Sequence, residues 1–132
     1  MKDVICKKEL KKLGRFSQFA IAASKMALDD AKLDINESNA TRVGVIIGSG
    51  IGALEVIETE IGKMIEKGPK RISPFYIPAV ITNMASGNVS IYTGAKGPNK
   101  AIVTACASGT HSIGDAFQTI LLGKADAIIA GG

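Results

Sequence analysis

Tryptophan is absent from this 132-residue chain, aromatics make up only 5 % of it, and one histidine, His111, is present. A core without large rings must be assembled from Ile, Val, Leu, Ala and Met. Cysteine is nearly as scarce. Cys6 and Cys106 form no C-x-x-C pair, and with a single histidine they leave no ligand set for a metal such as zinc. Such sparse cysteine fits a reducing compartment, so a cytoplasmic location is the default expectation. No apolar run reaches the length of a membrane span. The opening Met1-Lys2-Asp3-Val4-Ile5-Cys6-Lys7-Lys8 lacks the apolar block of a signal peptide, and no membrane partner is expected. Hydrophobic residues at 46 % and charged residues at 21 % match ordinary globular usage, which excludes disorder of the whole chain.

Glycine, by contrast, is plentiful: the 15 glycines sit mostly beside apolar runs and point to tight turns between strands and helices. Helices are expected over residues 7–13 and 16–33. In the second, Phe16, Phe19, Ala20, Ala23, Ala27 and Ala31 fall at helical spacing and define a small-residue face for close packing. A polar turn covers 34–41. Val43-Gly44-Val45-Ile46-Ile47 is a continuous apolar run, the pattern of a buried parallel strand. A glycine turn follows at 48–52, then a helix over 53–66 with Leu54, Ile57, Ile61 and Ile65 on one face. Gly68-Pro69 ends that helix. Ser73-Pro74-Phe75-Tyr76-Ile77-Pro78 is too rich in proline for a central strand and is expected to be an ordered loop. A helix over 79–92, a short strand over 101–104, a helix over 109–122 and a strand over 125–130 complete the chain. Alternating strands and helices give an α/β class with a mostly parallel sheet. Three strands are few for so much helix. The chain stops at the carboxyl end of a buried strand, where such sheets place active-site loops, and Met1 opens directly onto a charged helix. A segment of a longer protein is therefore expected.

Gly48-Ser49-Gly50-Ile51-Gly52-Ala53 fits the G-x-G-x-x-A dinucleotide fingerprint, after a strand and before a helix. That motif needs a second strand after the helix, ending in an acidic residue for the ribose. Gly68-Pro69-Lys70-Arg71 and the proline loop stand there instead. A dinucleotide-binding oxidoreductase is kept as a weaker alternative, and no cofactor is expected. The glycines then serve a tight strand–helix turn, and Ile51 is left to face a hydrophobic substrate.

Cys106 lies between the strand at 101–104 and the helix that opens near Gly109. This puts it beside the N–H groups of a helix N-terminus, where the dipole favours negative charge. Its own N–H is placed to hold an oxyanion during attack on a carbonyl, by the same logic as the serine nucleophile elbow. A small buried cysteine packing as an apolar residue is the competing reading. Ala105, Ala107, Ser108 and Gly109 leave room for a substrate and favour the nucleophile. Cys6 has no such surroundings. His111, five residues on, does not share a helical face with Cys106 and is not expected to be its base. Lys7, Lys8, Lys11, Lys12 and Arg15 crowd the start, with Glu9 the one acid among them. They form either a solvated helix face or a docking patch for an acidic partner. No nucleic acid is expected, since the patch has few stacking aromatics and no nucleic-acid motif.

The run from Thr104 to Gly132, TACASGTHSIGDAFQTILLGKADAIIAGG, resembles the nucleophile region of the β-ketoacyl-acyl carrier protein synthases. GSGIGA at 48–53, RISPFYIPAVITNMASGNVS at 71–90 and KKELKKLGRFSQFAIAA at 7–23 resemble the type II elongating members of that family. The resemblance covers nearly the whole chain. It implies a thiolase-like fold of two similar halves, with residues 1–132 as a partial N-terminal ketoacyl-synthase domain. It implies a decarboxylating Claisen condensation in fatty-acid elongation, an acyltransferase activity without cofactor or metal, in which Cys106 accepts the acyl group. It further implies that Ile51 lines the acyl pocket and that Tyr76 reaches the partner subunit's pocket in a homodimer. Lys8, Lys11 and Lys12 would dock acyl carrier protein in its acyl and malonyl forms. The family's opening strand and glycine turn are missing here. So is its second half, which carries two histidines, a lysine and the second oxyanion donor. Gly14 and Ala53 stand where aspartate and glycine are common. The chain alone is therefore expected to be inactive. A module that only binds carrier protein or a partner subunit is the second reading.

Overall fold

The computed structural model describes residues 5–132. Its centre is strand β1, Val43–Ile47, whose five residues are all buried. A run of Val, Gly and Ile with no polar side chain has nothing to offer solvent on either face, so it takes the middle of the sheet. Strands β2 (Asn99–Lys100) and β3 (Ala127–Gly131) flank it in the order β2-β1-β3, and both pairings are parallel. Val43 stands opposite Ala127, and Ile47 opposite Gly131.

The strand expected at 101–104 is displaced to β2. Its register with β1 ends at Ile46 and Lys100, two residues before Gly48, where the chain turns out of the sheet. Residues 101–104 consequently have no ladder to join, although the Ser49 N–H still donates to the Ile102 carbonyl at 3.2 Å. The last strand begins at Ala127 rather than Ala125, because Asp126 is engaged with Arg42, through its N–H to the Arg42 carbonyl and its carboxylate to the guanidinium.

Among the described residues, six α-helices surround the sheet: α1 (Lys7–Leu10), α2 (Arg15–Ala31), α3 (Leu54–Lys67), α4 (Tyr76–Val80), α5 (Met84–Thr93) and α6 (Ser108–Leu121). The first is shorter than its pattern suggested. The Gln18 side-chain amide donates to the carbonyls of Leu10 and Leu13 at 3.0 Å each and so closes the end of that segment. The proline loop and the helix at 79–92 are also redrawn. Pro78 is tolerated as the third residue of α4 because a first-turn N–H has no intrahelical partner to lose. The helix then breaks, with Ile81 extended at ψ 142°, and restarts at Met84. The Val80 carbonyl accepts instead from the Ala53 N–H at 3.2 Å, tying α4 to the glycine turn.

The core is aliphatic. Ile21, Val43, Val45, Ile47, Ala85 and Val89 cluster between α2, α5 and β1, with Phe16 and Tyr92 packed at its edge. The buried stripe of α2 is Ser17, Ile21 and Ser24, not the small-residue face read from spacing. The hydroxyls are small enough to let α2 lie close on α5, and that leaves Phe16, Phe19, Ala20, Ala23 and Ala27 facing a cleft. The apolar face of α3 points outward. Leu54, Ile61 and Ile65 are exposed, and the buried residue of that helix is Glu60.

Candidate active site

Two turns meet at the carboxyl end of β1. One is the glycine turn at 48–52. Gly48 lies so close to α6 that a Cβ there would sit 2.7 Å from the Ser108 carbonyl oxygen and 2.9 Å from that of Ile102. Gly52 has φ +82°, and a Cβ on it would run into the Val80 carbonyl. Only glycine meets both demands. The glycines thus serve backbone packing. After α3 the chain enters a 3-10 turn at Pro69–Arg71 and then α4, so the second strand of a dinucleotide unit does not follow.

The other turn carries Cys106. The chain leaves Thr104, passes through the short 3-10 turn Ala105–Ala107, and enters α6 at Ser108. Ala105 is held at φ +50°, a left-handed conformation that costs a residue with a Cβ about 1–2 kcal/mol. The Ser108 side chain spans this strained step. Its Oγ accepts from the Thr104 N–H at 3.0 Å and donates to the Ala105 carbonyl at 2.7 Å. Ser108 is itself buried, and the buried Ser112 hydroxyl donates to its carbonyl at 2.8 Å. The result is a Cys106 side chain that is exposed, not packed in the core, at the N-terminal end of a 14-residue helix. Ser108 went unrecognised from sequence. Its signal was a serine at the first residue of a helix, two residues past the cysteine, where a hydroxyl can reach back to free backbone groups.

Cys106 opens into a cleft of about 710 Å3. One wall is the face of α2 bearing Phe16, Phe19, Ala20 and Ala23, and the floor is formed by residues 47–50 and the end of β3. Among the described residues, no charged side chain lines it. Such a space suits an uncharged, apolar group and supplies no general base. His111 is not among the residues that line it; its Nδ1 stands 2.8 Å from Thr104 Oγ1. No cluster of three metal-ligating side chains occurs among the described residues.

The other candidate residues lie outside the cleft. Ile51 is 65 % exposed on the glycine turn, next to Gly50, which does line it. Tyr76 is half-buried at the start of α4. Lys8 lies in α1, with Lys11 and Lys12 directly behind it, all three exposed. The Lys12 ammonium stands 5.0 Å from the centroid of the Phe75 ring, within cation–π range. Glu9, the acid of the basic cluster, accepts from the Tyr92 hydroxyl at 2.7 Å. Burial and then Glu9 push the Tyr92 phenol up to about 12. Two further contacts were not foreseen. The buried Glu60 carboxylate accepts from Lys63 at 2.5 Å and from the Ser73 N–H at 2.7 Å, and both hold its pKa below the usual carboxylate range. The sign available in sequence was an acid flanked by Ile57 and Ile61 on an apolar helix face.

Comparison with known proteins agrees with this geometry. The family model of the β-ketoacyl synthase N-terminal domain matches residues 3–132. The chain is 54 % identical to 3-oxoacyl-[acyl-carrier-protein] synthase 2 of Staphylococcus aureus over 132 residues, all of this chain and 33 % of that protein. It is likewise 54 % identical to the synthase of the same name from Vibrio cholerae over 126 residues, 96 % of this chain and 30 % of the relative. The chain thus spans about a third of the length of these curated relatives. Among solved structures, it superposes on a type II polyketide ketosynthase in complex with its acyl-carrier protein. The TM-score is 0.87 at 28 % identity, covering 93 % of this chain and 35 % of the other. With its parallel sheet, its glycine turn packed on the cysteine turn and this match along almost its whole length, the chain belongs to the β-ketoacyl synthase family, whose N-terminal domain it represents.

Proposed function

We propose that this chain supplies the acyl-accepting site of a 3-oxoacyl-acyl carrier protein synthase that elongates fatty acids in the cytoplasm. The observation that carries the reading is Cys106, exposed at the N-terminus of α6 beside a cleft without charged walls. In the reaction, Cys106 Sγ attacks the thioester carbonyl of an acyl carrier protein. The carrier thiol leaves with the proton, and the acyl group remains on Cys106. Malonyl carrier protein then loses carbon dioxide, and the electron pair left on its α-carbon attacks the enzyme thioester and expels the Cys106 sulfur. The Cys106 N–H and the dipole of α6 stabilise the oxyanion in both attacks. Phe16, Phe19, Ala20 and Ala23 give the acyl chain an apolar wall. Ile51, exposed beside the cleft residue Gly50, lines the acyl pocket where it extends beyond the cleft, and Tyr76 reaches the pocket of a partner subunit in a homodimer. Lys8, Lys11 and Lys12 receive the acidic carrier protein. The cleft holds no base, so proton transfer and decarboxylation draw on groups outside this segment, which acts as one domain of a longer synthase.

The test is acyl transfer from a long-chain acyl carrier protein to the full-length protein, followed by peptide mapping. The label is expected on Cys106 and lost in Cys106→Ser; a label confined to Cys6, or none, overturns the reading. Carrier binding is expected to weaken with salt and with Lys8→Glu or Lys11→Glu. Salt-independent binding would remove the docking role. Salt-sensitive binding without any acyl transfer would favour a non-catalytic carrier-binding module.

A further inference from the structure

We propose that Glu60 is a positioning residue that sets the place of Tyr76 and, through it, the acyl-chain selectivity of the site. This rests on the synthase reading above, in which Tyr76 reaches the acyl pocket of the partner subunit.

The segment between α3 and α4 is short of anchors. Its 3-10 turn bonds to itself: the Arg71 N–H donates to the Gly68 carbonyl and the Ile72 N–H to that of Pro69. Beyond it, each backbone donor up to Tyr76 converges on Ser73. The Ser73 hydroxyl accepts from the Phe75 N–H at 3.1 Å, and the Ser73 carbonyl accepts from the Tyr76 N–H at 3.0 Å. Pro74 has no donor to place. Ser73 is therefore the hub that fixes where Tyr76 enters α4. Ser73 in turn is held from outside by one group, the Glu60 carboxylate, whose Oε2 accepts the Ser73 N–H at 2.7 Å. Among the described residues, apart from the Arg71 bond to Gly68 at the end of α3, that is the sole hydrogen bond from residues 69–75 to an element other than α4.

Glu60 is well built for this. Its side chain is 5 % exposed on a helix whose neighbouring Ile61 and Ile65 are exposed, so a carboxylate has been taken inside while apolar groups stay out. A buried carboxylate is costly unless it is paired and hydrogen-bonded. Both conditions hold, since Lys63, one turn on, donates to Oε1 at 2.5 Å and leaves Oε2 for Ser73. A bond to an ionised acceptor is shorter and stronger than one to a neutral amide. The pair thus fixes the Ser73 N–H in one place without closing the segment into the core. The same segment carries the Phe75 ring within cation–π range of Lys12, so the chain leading to Tyr76 touches both α3 and the basic cluster.

The test uses the full-length synthase and two variants. Glu60→Met fills the site at similar volume but accepts no hydrogen bond; the Lys63 side chain, 44 % exposed, is left free to turn to solvent, so the acceptor lost is the one that held the Ser73 N–H. Glu60→Gln keeps one acceptor for Ser73. Turnover is measured with a short-chain and a long-chain acyl carrier protein. Glu60→Met is expected to change the ratio of their kcat/KM values by roughly tenfold, the scale on which pocket shape discriminates chain length. Glu60→Gln is expected to stay within about twofold of wild type, because its acceptor remains. An unchanged ratio in Glu60→Met overturns the proposal. So does an equal loss with both substrates, which would mark a purely structural role. If the wild-type protein fails to acylate Cys106, the synthase reading itself falls, and that outcome is visible before either variant is compared.

Discussion

Gly48 and Gly50 belong to the same glycine turn, yet alanine at the two positions should have opposite consequences. At Gly48 a Cβ would stand 2.7 Å from the Ser108 carbonyl oxygen, 2.8 Å from Ser108 Cβ and 2.9 Å from the Ile102 carbonyl oxygen. Two of those atoms are backbone and cannot swing aside. Relief requires the start of α6 to retreat by about 0.7 Å, the shortfall from ordinary contact. Overpacking of this kind costs about 1–3 kcal/mol. For a domain of this size that lowers the melting temperature by roughly 3–15 °C. The retreat also moves Ser108, which holds both sides of the Cys106 turn. A displacement approaching 1 Å at a reacting group is worth up to about a hundredfold in rate. At Gly50 the nearest atom to a Cβ is Ala105 Cα at 3.6 Å, an ordinary contact, so Gly50→Ala should fall within about 0.5 kcal/mol of wild type. Thermal unfolding and the rate of acyl transfer to Cys106 in the full-length protein measure the two effects. Gly48→Ala with wild-type melting and wild-type acylation would refute the packing argument. Equal damage from both variants would show that the turn is read by its chain flexibility, not by its distance to α6.

Two further outcomes follow from individual side chains. Ser108→Ala leaves the Thr104 N–H without an acceptor and should cost about 1–3 kcal/mol in urea unfolding; a loss under about 0.5 kcal/mol would mean that water serves the turn equally well. Tyr92 is held neutral, its pKa raised from 10.0 to about 12 chiefly by burial and then by Glu9. Its contribution is therefore complete below pH 10 and disappears as the pH rises through about 12. Tyr92 is only partly buried, and after allowance for solvent screening the contribution is ~1 kcal/mol. Tyr92→Phe should accordingly flatten the fall in stability across that alkaline window, and an unchanged pH profile would show that the Glu9 contact is not maintained in solution.

What could be read in the sequence was whatever depended on a few adjacent residues. Five apolar residues at 43–47 define β1 with its observed bounds, and α2 falls within a residue or two of its pattern. The setting of Cys106 was legible because small residues and a following helix signal a turn wherever the rest of the chain lies. Features that depended on distant partners were not legible. Residues 101–104 are apolar enough for a strand, but β1 has already turned away at Gly48, a fact held in the geometry of a different segment. The break between α4 and α5 likewise reflects a carbonyl spent on Ala53. Glu60 and Ser73 lie thirteen positions apart, and no local rule pairs them.

The apolar faces of α3 and α6 carry a further argument. Periodicity identifies which side of a helix is apolar, not what covers it. In α6 the buried positions are Ser108, Ser112, Ala116 and Thr119, while Ile113, Phe117, Ile120 and Leu121 are exposed. The small residues are turned in because they let the helix approach β1 and β3 closely. The large ones are turned out, on the same helix that holds Cys106 at its start. The accessible surface is 8156 Å2, against about 6,600 Å2 for a compact monomer of 13.7 kDa. An excess of roughly 1,500 Å2 on one chain is nearly twice the ~800 Å2 that one partner contributes to a standard protein interface. Exposed Ile, Phe and Leu in such number mark a contact face. In the proposed synthase, polypeptide packed along α6 would cover this face, on the helix that holds Cys106 at its start.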